Sequence, residues 1–186
     1  MRIIAGKLKG KKLTSLTGTS IRPTADRVRE AIFNICAFHI ADSVVLDLFA
    51  GTGAFALESL SRGAGSAVLI DSSIRAISII KKNVEACRLK DQASIIQWDI
   101  LKNLNCLRKF GMGFDLVFMD PPYNKDVIRP TLLNLAACGS LKNEAIVIIE
   151  HAATEPVPKD LAEFELSDQR KYGKTLVSFM TYVINE

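Results

Sequence analysis

A chain of 186 residues, 48% of them hydrophobic, can bury one substantial core, and no apolar run approaches the roughly 20 residues that span a bilayer. A disordered chain and a membrane protein are therefore both excluded as expectations. The formal net charge of +4 is unevenly placed: residues 1–30 hold eight basic residues against Asp26 and Glu30, a net +6, so the remainder carries −2. A basic block of this kind points to a polyanion partner, with a solvated basic tail as the plainer alternative.

The opening stretch, Arg2-Ile3-Ile4-Ala5-Gly6 through Leu13, reads as short strands broken at glycines, a hairpin, and residues 17–20 as loop. A helix is expected from Pro23 and Thr24, because Val28, Ala31, Ile32 and Ile35 recur at helical spacing. From Val44 onward short apolar strands (44–48, 67–70, 94–97, 116–119 and 145–149) alternate with helical patterns (54–62, 74–87, 101–110 and 127–137). Continuous Val/Ile/Leu strands separated by helices predict a doubly wound α/β domain with a mostly parallel sheet. The segments 163–172 and 175–184 flank Gly173-Lys174 and predict a closing antiparallel hairpin. The expected organisation is a basic appendage, residues 1–40, and one α/β domain, residues 41–186.

Cys36, Cys87, Cys106 and Cys138 stand far apart with no Cys-x-x-Cys pair, and only His39 and His151 could join them. The cysteines read as reduced core residues, no metal site is expected, and no Ser-His-Asp or Cys-His arrangement is legible. The first seven residues lack a signal peptide's apolar core and cleavage site, which makes the cytoplasm the expected location.

The first strand runs into Asp47-Leu48-Phe49-Ala50-Gly51-Thr52-Gly53-Ala54, a glycine turn opening a helix, and Asp71 follows Gly51 by 20 residues at the end of the second strand. This is the pattern of a nucleotide-binding turn with an acid placed for ribose hydroxyls; a purely structural glycine turn is the alternative. Asp47 argues against a pyrophosphate, since a carboxylate at that place repels phosphate charge and suits an ammonium or sulfonium. S-Adenosylmethionine carries both, together with an adenosine. Asp99, after the third strand, is placed either to accept the adenine amine or to cap the turn at Leu101.

Asp120-Pro121-Pro122-Tyr123 follows the fourth strand. The two prolines remove two backbone donors and leave a loop rich in acceptors. An acid, two peptides without N–H and an aromatic ring suit a flat base with an exocyclic amine. Asp120 and the Pro121 carbonyl accept the amine's two N–H groups. The Tyr123 ring stacks on the base, a contact of about 1–3 kcal/mol for which the ring alone suffices. A strand-closing turn is the plainer reading. If the first and fourth strands are neighbours, both loops share one cleft at the ligand-binding edge of the sheet.

These segments resemble class I S-adenosylmethionine-dependent methyltransferases, and more narrowly the RsmD family of 16S ribosomal RNA guanine-N2 methyltransferases. The resemblance covers nearly the whole chain. Its specific part is Arg22-Pro23-Thr24-Ala25-Asp26-Arg27-Val28-Arg29-Glu30; the turn with Phe49, Gly51 and Gly53, and the Asp120–Tyr123 loop, occur across many amino-methyltransferases. It implies a seven-stranded methyltransferase fold and methylation of one guanine's exocyclic amine on an assembling small ribosomal subunit. The family often has a second acid after the second strand, where this chain has Ser73.

Lys9, Lys11, Lys12, Arg22, Arg27 and Arg29 are the candidate RNA contacts, through guanidinium forks beside a helix start. Pairing of Arg27 or Arg29 with Glu30 or Asp26 on the helix surface is the alternative. The rival activities are a DNA adenine-N6 methyltransferase, for which a chain of this length leaves no target-recognition domain, a protein-glutamine methyltransferase, which leaves the basic arm unused, and a nucleotide-dependent oxidoreductase, which leaves Asp47 and the Asp120–Tyr123 loop unexplained.

Overall fold

The structure, a computed structural model, describes residues 1–15, 23–111 and 113–184, so the expected loop at 17–20 lies outside the described residues. Strands β1 (Val44–Leu48), β2 (Ser66–Asp71), β3 (Ala93–Gln97), β4 (Phe114–Met119), β5 (Leu141–Ala152), β6 (Phe164–Tyr172) and β7 (Thr175–Tyr182) form one seven-stranded sheet in the order β3-β2-β1-β4-β5-β7-β6. The first five in that order run parallel, and β7 is antiparallel to both β5 and β6. The doubly wound sheet with its closing hairpin is thus as expected, and β1 and β4 are neighbours.

Both sheet faces are covered, which is why the strands are apolar on both sides. Helices α1 (Pro23–Ile35), α2 (Ala54–Ser61) and α3 (Ile74–Cys87) pack on one face with Val45, Leu69, Phe118 and Ile148. Helix α4 (Ile128–Cys138) packs on the other with Leu46, Val68, Val117 and Ile149. Residues 1–40 share this core, since Ile3, Leu13, Val28, Ile32 and Phe33 belong to the same cluster as Leu57 and Phe118. Ile32 and Phe33 are fully buried, and each such side chain stabilises by about 1.5–3 kcal/mol, more than a surface ion pair on the same helix.

One expected element is corrected. The stretch 101–110 is not an α-helix but a short 3-10 helix, Asn105–Phe110. Asp99 Oδ1 accepts the Leu101 amide at 3.1 Å and Asn103 Oδ1 that of Asn105 at 3.0 Å, so polar side chains close separate turns in place of a continuous helix. The N-terminal hairpin is present but short: Arg2 and Lys12 form an antiparallel bridge, and the amides of Ile3, Gly10 and Leu13 donate to the carbonyls of Lys11, Ile3 and Met1 at 3.0, 2.8 and 3.2 Å around a 3-10 turn, Gly6–Leu8. Three amides of its turn go to α2: Ile4 and Ala5 donate to the two carboxylate oxygens of Glu58 at 2.7 and 2.9 Å, and Leu8 to Ser61 Oγ at 2.9 Å. Glu58 is 0% exposed and also accepts from Arg62 at 2.8 Å, so a buried carboxylate of α2 anchors the segment. Among the described residues no helix is long and apolar enough to cross a membrane.

Candidate active site

The alternation of a strand puts every second residue on one face. On the face covered by α1–α3, Leu69 leads to Asp71 in β2, Val45 to Asp47 in β1, Phe118 to Asp120 just past β4, and Ile148 to Glu150 in β5. Met119 pairs with Ile149, so Asp120 lies beside Glu150 one step further along. Four carboxyls from four adjacent strands therefore meet at the C-terminal edge of the parallel sheet.

The glycine turn between β1 and α2 is built around two of them. Phe49, Gly51 and Gly53 all have positive φ (58°, 55° and 77°), and the non-glycine Phe49 in that region marks stored backbone strain at the cleft. A Cβ at Gly53 would stand 2.8 Å from Leu69 Cδ2, so this position requires glycine for close packing as well as for backbone angle. Asp71 accepts the amide of Gly51 through Oδ2 at 2.9 Å and that of Ser73 through Oδ1 at 2.8 Å, and so holds the turn as well as bordering the cavity. Ser73 caps α3 by accepting the Ala76 amide at 3.3 Å. Asp47 is 2% exposed and accepts the amide of Ala56 at 3.1 Å. Burial first, then the nearby Asp120 and Asp71, push its carboxyl well above the ordinary range.

Phe49, Asp71, Asp99, Ile100, Asp120 and Pro122 line a cavity of about 340 Å³ at this edge. Asp99 caps the turn at Leu101 and lines the cavity. A larger hollow of about 560 Å³ around Trp98 adjoins it, sharing Ser72 and Asp99. A separate cavity of about 270 Å³ around Phe38 and Lys142 lies at the opposite ends of the strands and contains none of the expected site residues.

The Asp120–Tyr123 loop is fixed from outside, because its prolines donate nothing. Pro121 is buried. Beyond it, the buried Glu155 accepts the amides of Asn124 and Asp126 at 2.6 and 3.0 Å. Tyr123 is 38% exposed, and its hydroxyl donates to Glu150 Oε1 at 3.0 Å and lies 3.3 Å from Thr175 Oγ1. The hydroxyl is therefore engaged, a contact that the reading of the ring alone did not include. Asp120 opens onto the cavity on one side and is crowded by protein on the others, so desolvation, then Glu150, push its carboxyl up to about 8. Burial likewise raises Glu150, opposed by the Tyr123 hydroxyl and the charge of Arg29.

The basic residues divide. Lys9, Lys11, Lys12 and Arg27 are exposed. Lys9 and Arg27 join Arg2 around a surface hollow of about 510 Å³, together with Asp26 and Glu30. Arg29 is a correction: it is 4% exposed and donates inward to the Arg2 carbonyl at 2.6 Å and to Asp26 at 3.2 Å, so it braces the N-terminal segment and does not face an RNA backbone. Arg22 lies outside the described residues. Among the described residues no group of His, Cys, Asp and Glu is placed to hold a metal ion.

Glu58, Asn83 and Glu150 escaped the reading of the sequence. Asn83, 1% exposed, donates to the carbonyls of Thr14 and Thr52, at 3.0 and 2.9 Å, and ties the N-terminal segment to the glycine turn. For Glu150 a signal existed: an acid at the C-terminal edge of a parallel strand, in phase with the apolar residues of one face.

The model of the family described as conserved hypothetical protein 95 matches residues 1–181. Over 174 residues the chain is 33% identical to ribosomal RNA small subunit methyltransferase D of Escherichia coli K12, covering 94% of this chain and 86% of that one. It is also 33% identical over 158 residues to the protein of the same name from Haemophilus influenzae, covering 84% and 81%. The solved structure of the Escherichia coli protein yhhF matches with a TM-score of 0.86 at 32% identity over 98% of each chain. SMU.776, solved with S-adenosylhomocysteine, shares the fold with a TM-score of 0.65 at 18% identity, over 87% of this chain and 50% of that one. Matched along nearly its whole length by the family model and by these relatives, the chain belongs to the RsmD family of ribosomal RNA methyltransferases.

Proposed function

We propose that the protein transfers a methyl group from S-adenosylmethionine to the exocyclic N2 amine of a guanine in small-subunit (16S) ribosomal RNA, within an assembling subunit in the cytoplasm. One observation carries this reading: β1 and β4 are hydrogen-bonded neighbours, so the glycine turn and the Asp120–Tyr123 loop open onto one cleft. The donor set suits a cationic guest. Asp47, Asp71, Asp120 and Glu150 crowd one edge, where Asp120 and Asp71 help raise the Asp47 carboxyl and Glu150 that of Asp120, a conflict that a positive charge relieves and a phosphate worsens. Asp47 would take the amino-acid ammonium, Asp71 the ribose and Asp99 the adenine amine, with Phe49, Gly51 and Gly53 shaping the turn beneath. S-Adenosylmethionine supplies an electrophilic methyl group on a sulfonium.

The chain's own residues do the rest. A guanine amine is conjugated with its ring and nucleophilically weak. Accepting its two N–H groups at the Asp120 carboxylate and the Pro121 carbonyl favours a pyramidal nitrogen and aims its lone pair. Positive charge grows on that nitrogen during attack, and ionised Asp120 offsets it electrostatically. The Tyr123 ring holds the base by its face, and binding in line contributes much of the remainder. A paired base cannot offer its amine in this way, so the target is unpaired or flipped out.

The test is tritiated methyl transfer to naked 16S RNA, isolated small subunits and DNA, followed by nucleoside digestion. Label in N2-methylguanosine from the RNA samples is expected. Label in N6-methyladenosine from DNA would move the assignment to the rival methyltransferase, and NAD binding in place of S-adenosylmethionine binding would move it to an oxidoreductase.

A further inference from the structure

Between Asp120 and Tyr123 the chain passes through two prolines that donate no hydrogen bond, so its own backbone does little to tie the loop down. Two side chains from later in the chain, one in β5 and one just past it, supply the ties. Glu155 takes the amides of Asn124 and Asp126, and Glu150 takes the Tyr123 hydroxyl, with Thr175 Oγ1 at 3.3 Å beside it. Glu150 belongs to β5 and Thr175 to β7, so the phenol oxygen is held between two strands while the ring stays 38% exposed. A ring anchored at its oxygen and open elsewhere is oriented before a base arrives.

We propose that Glu150 is a positioning residue for methyl transfer, one that accepts the Tyr123 hydroxyl and with Thr175 fixes the plane of the ring on which the substrate base stacks. This rests on the reading of Asp120–Tyr123 as the loop that receives the substrate amine. The reach of Glu150 extends backward as well. Arg29, buried on α1 with no partner for its Nε among the described residues, attracts Glu150 electrostatically, so the anchor spans from the N-terminal helix to the substrate loop. The groups facing Glu150 are Tyr123 and Asp120 from the loop, Thr175 from β7 and Arg29 from α1.

The test compares E150A, E150Q, Y123F and the double variant E150A/Y123F, assayed above the value of about 8 where Asp120 ionises. E150A and Y123F should each raise KM for RNA about fivefold, through the freedom restored to one side chain, with S-adenosylhomocysteine affinity unchanged. The double variant should be no worse than either single one, because both remove the same anchor. E150Q, whose amide oxygen still accepts the phenol, should stay within about twofold. Hydrogen exchange at the Asn124 and Asp126 amides supplies a readout free of activity: it should quicken in E150A and Y123F and not in E150Q. Additive effects in the double variant, E150Q as impaired as E150A, or unchanged exchange in E150A would each overturn the proposal. Should E150A fail to fold, Y123F decides, and wild-type KM and exchange in Y123F overturn it. If the wild-type protein methylates no RNA, the functional reading fails separately and the anchor is judged by exchange alone.

Discussion

The edge of the sheet where β1, β2, β4 and β5 meet carries Asp47, Asp71, Asp120 and Glu150, whereas the segment packed beside it presents Arg2, Lys9, Lys11, Lys12 and Arg27 to solvent. The two regions touch, through Asn83 between Thr14 and Thr52 and through Met1 at Thr52, yet they select opposite guests. On the proposed function, a polyanion is drawn to the segment and its phosphates are repelled from the cleft, which leaves the interior to an uncharged base edge and a cationic cofactor. Charge separation over a short distance thus sorts the parts of one substrate. The net charge of +4 conceals this, since it averages two surfaces with separate tasks.

Removing the acid closest to the substrate breaks the comparison most severely. Asp120→Ala should lower methyl transfer at least a hundredfold, about 2.7 kcal/mol of transition-state stabilisation, with S-adenosylhomocysteine affinity by calorimetry within a few-fold. Retention of a tenth of the activity would remove Asp120 from its role.

Next comes the buried acid that joins the two regions. Glu58→Ala leaves the Ile4 and Ala5 amides and Arg62 without their partner in a fully buried place, a loss of about 2 kcal/mol in urea unfolding. Wild-type stability would show that the segment is held by Ile32 and Phe33 alone.

The pH dependence sharpens the electrostatic half. With its carboxyl raised to about 8, Asp120 is neutral below that pH and charged above it, so kcat/KM, which reports the free enzyme, should fall as pH drops through 8. Asp47, Glu150 and the Tyr123 phenol face Asp120, with Arg29 behind Glu150. Glu150→Gln removes a like charge and should move that limb to lower pH; an unmoved limb would mean that burial alone sets it.

The smallest effect belongs to the basic surface. Replacing Lys9, Lys11 and Lys12 with Ala should flatten the salt dependence of RNA binding by up to about 0.7 slope units per lost contact, with melting temperature and cofactor binding nearly unchanged. An unchanged slope would leave those lysines as solvated charges.

What was legible in the sequence was local. β1 and α3 begin and end where their apolar patterns and punctuation place them, with the Ser73 cap opening α3 and Arg88 in a left-handed conformation closing it. The glycine turn and the proline loop announced themselves because backbone geometry restricts which residues can stand there. The rest depended on partners far along the chain. No local pattern reveals that Glu58 takes the amides of Ile4 and Ala5 and so fastens the short opening hairpin to α2. Arg29 and Arg27 sit two positions apart with the same charge, and only packing decides that one faces inward. The stretch 101–110 misled because its apolar spacing is helical while Asp99 and Asn103 divert the amides.

The position of β7 has a consequence for how the molecule comes into being. It is last of the seven strands in chain order, yet it lies between β5 and β6, which are synthesised before it. During vectorial synthesis β6 has no place in the sheet until β7 arrives, and β5 is left with an open edge. Thr175, the first residue of β7, touches the Tyr123 hydroxyl, so the substrate loop receives its final tie from almost the last element made. A nascent chain in which the glycine turn has already formed still lacks a finished base-binding loop. On the proposed function, competence to modify RNA is thereby delayed until the sheet has closed.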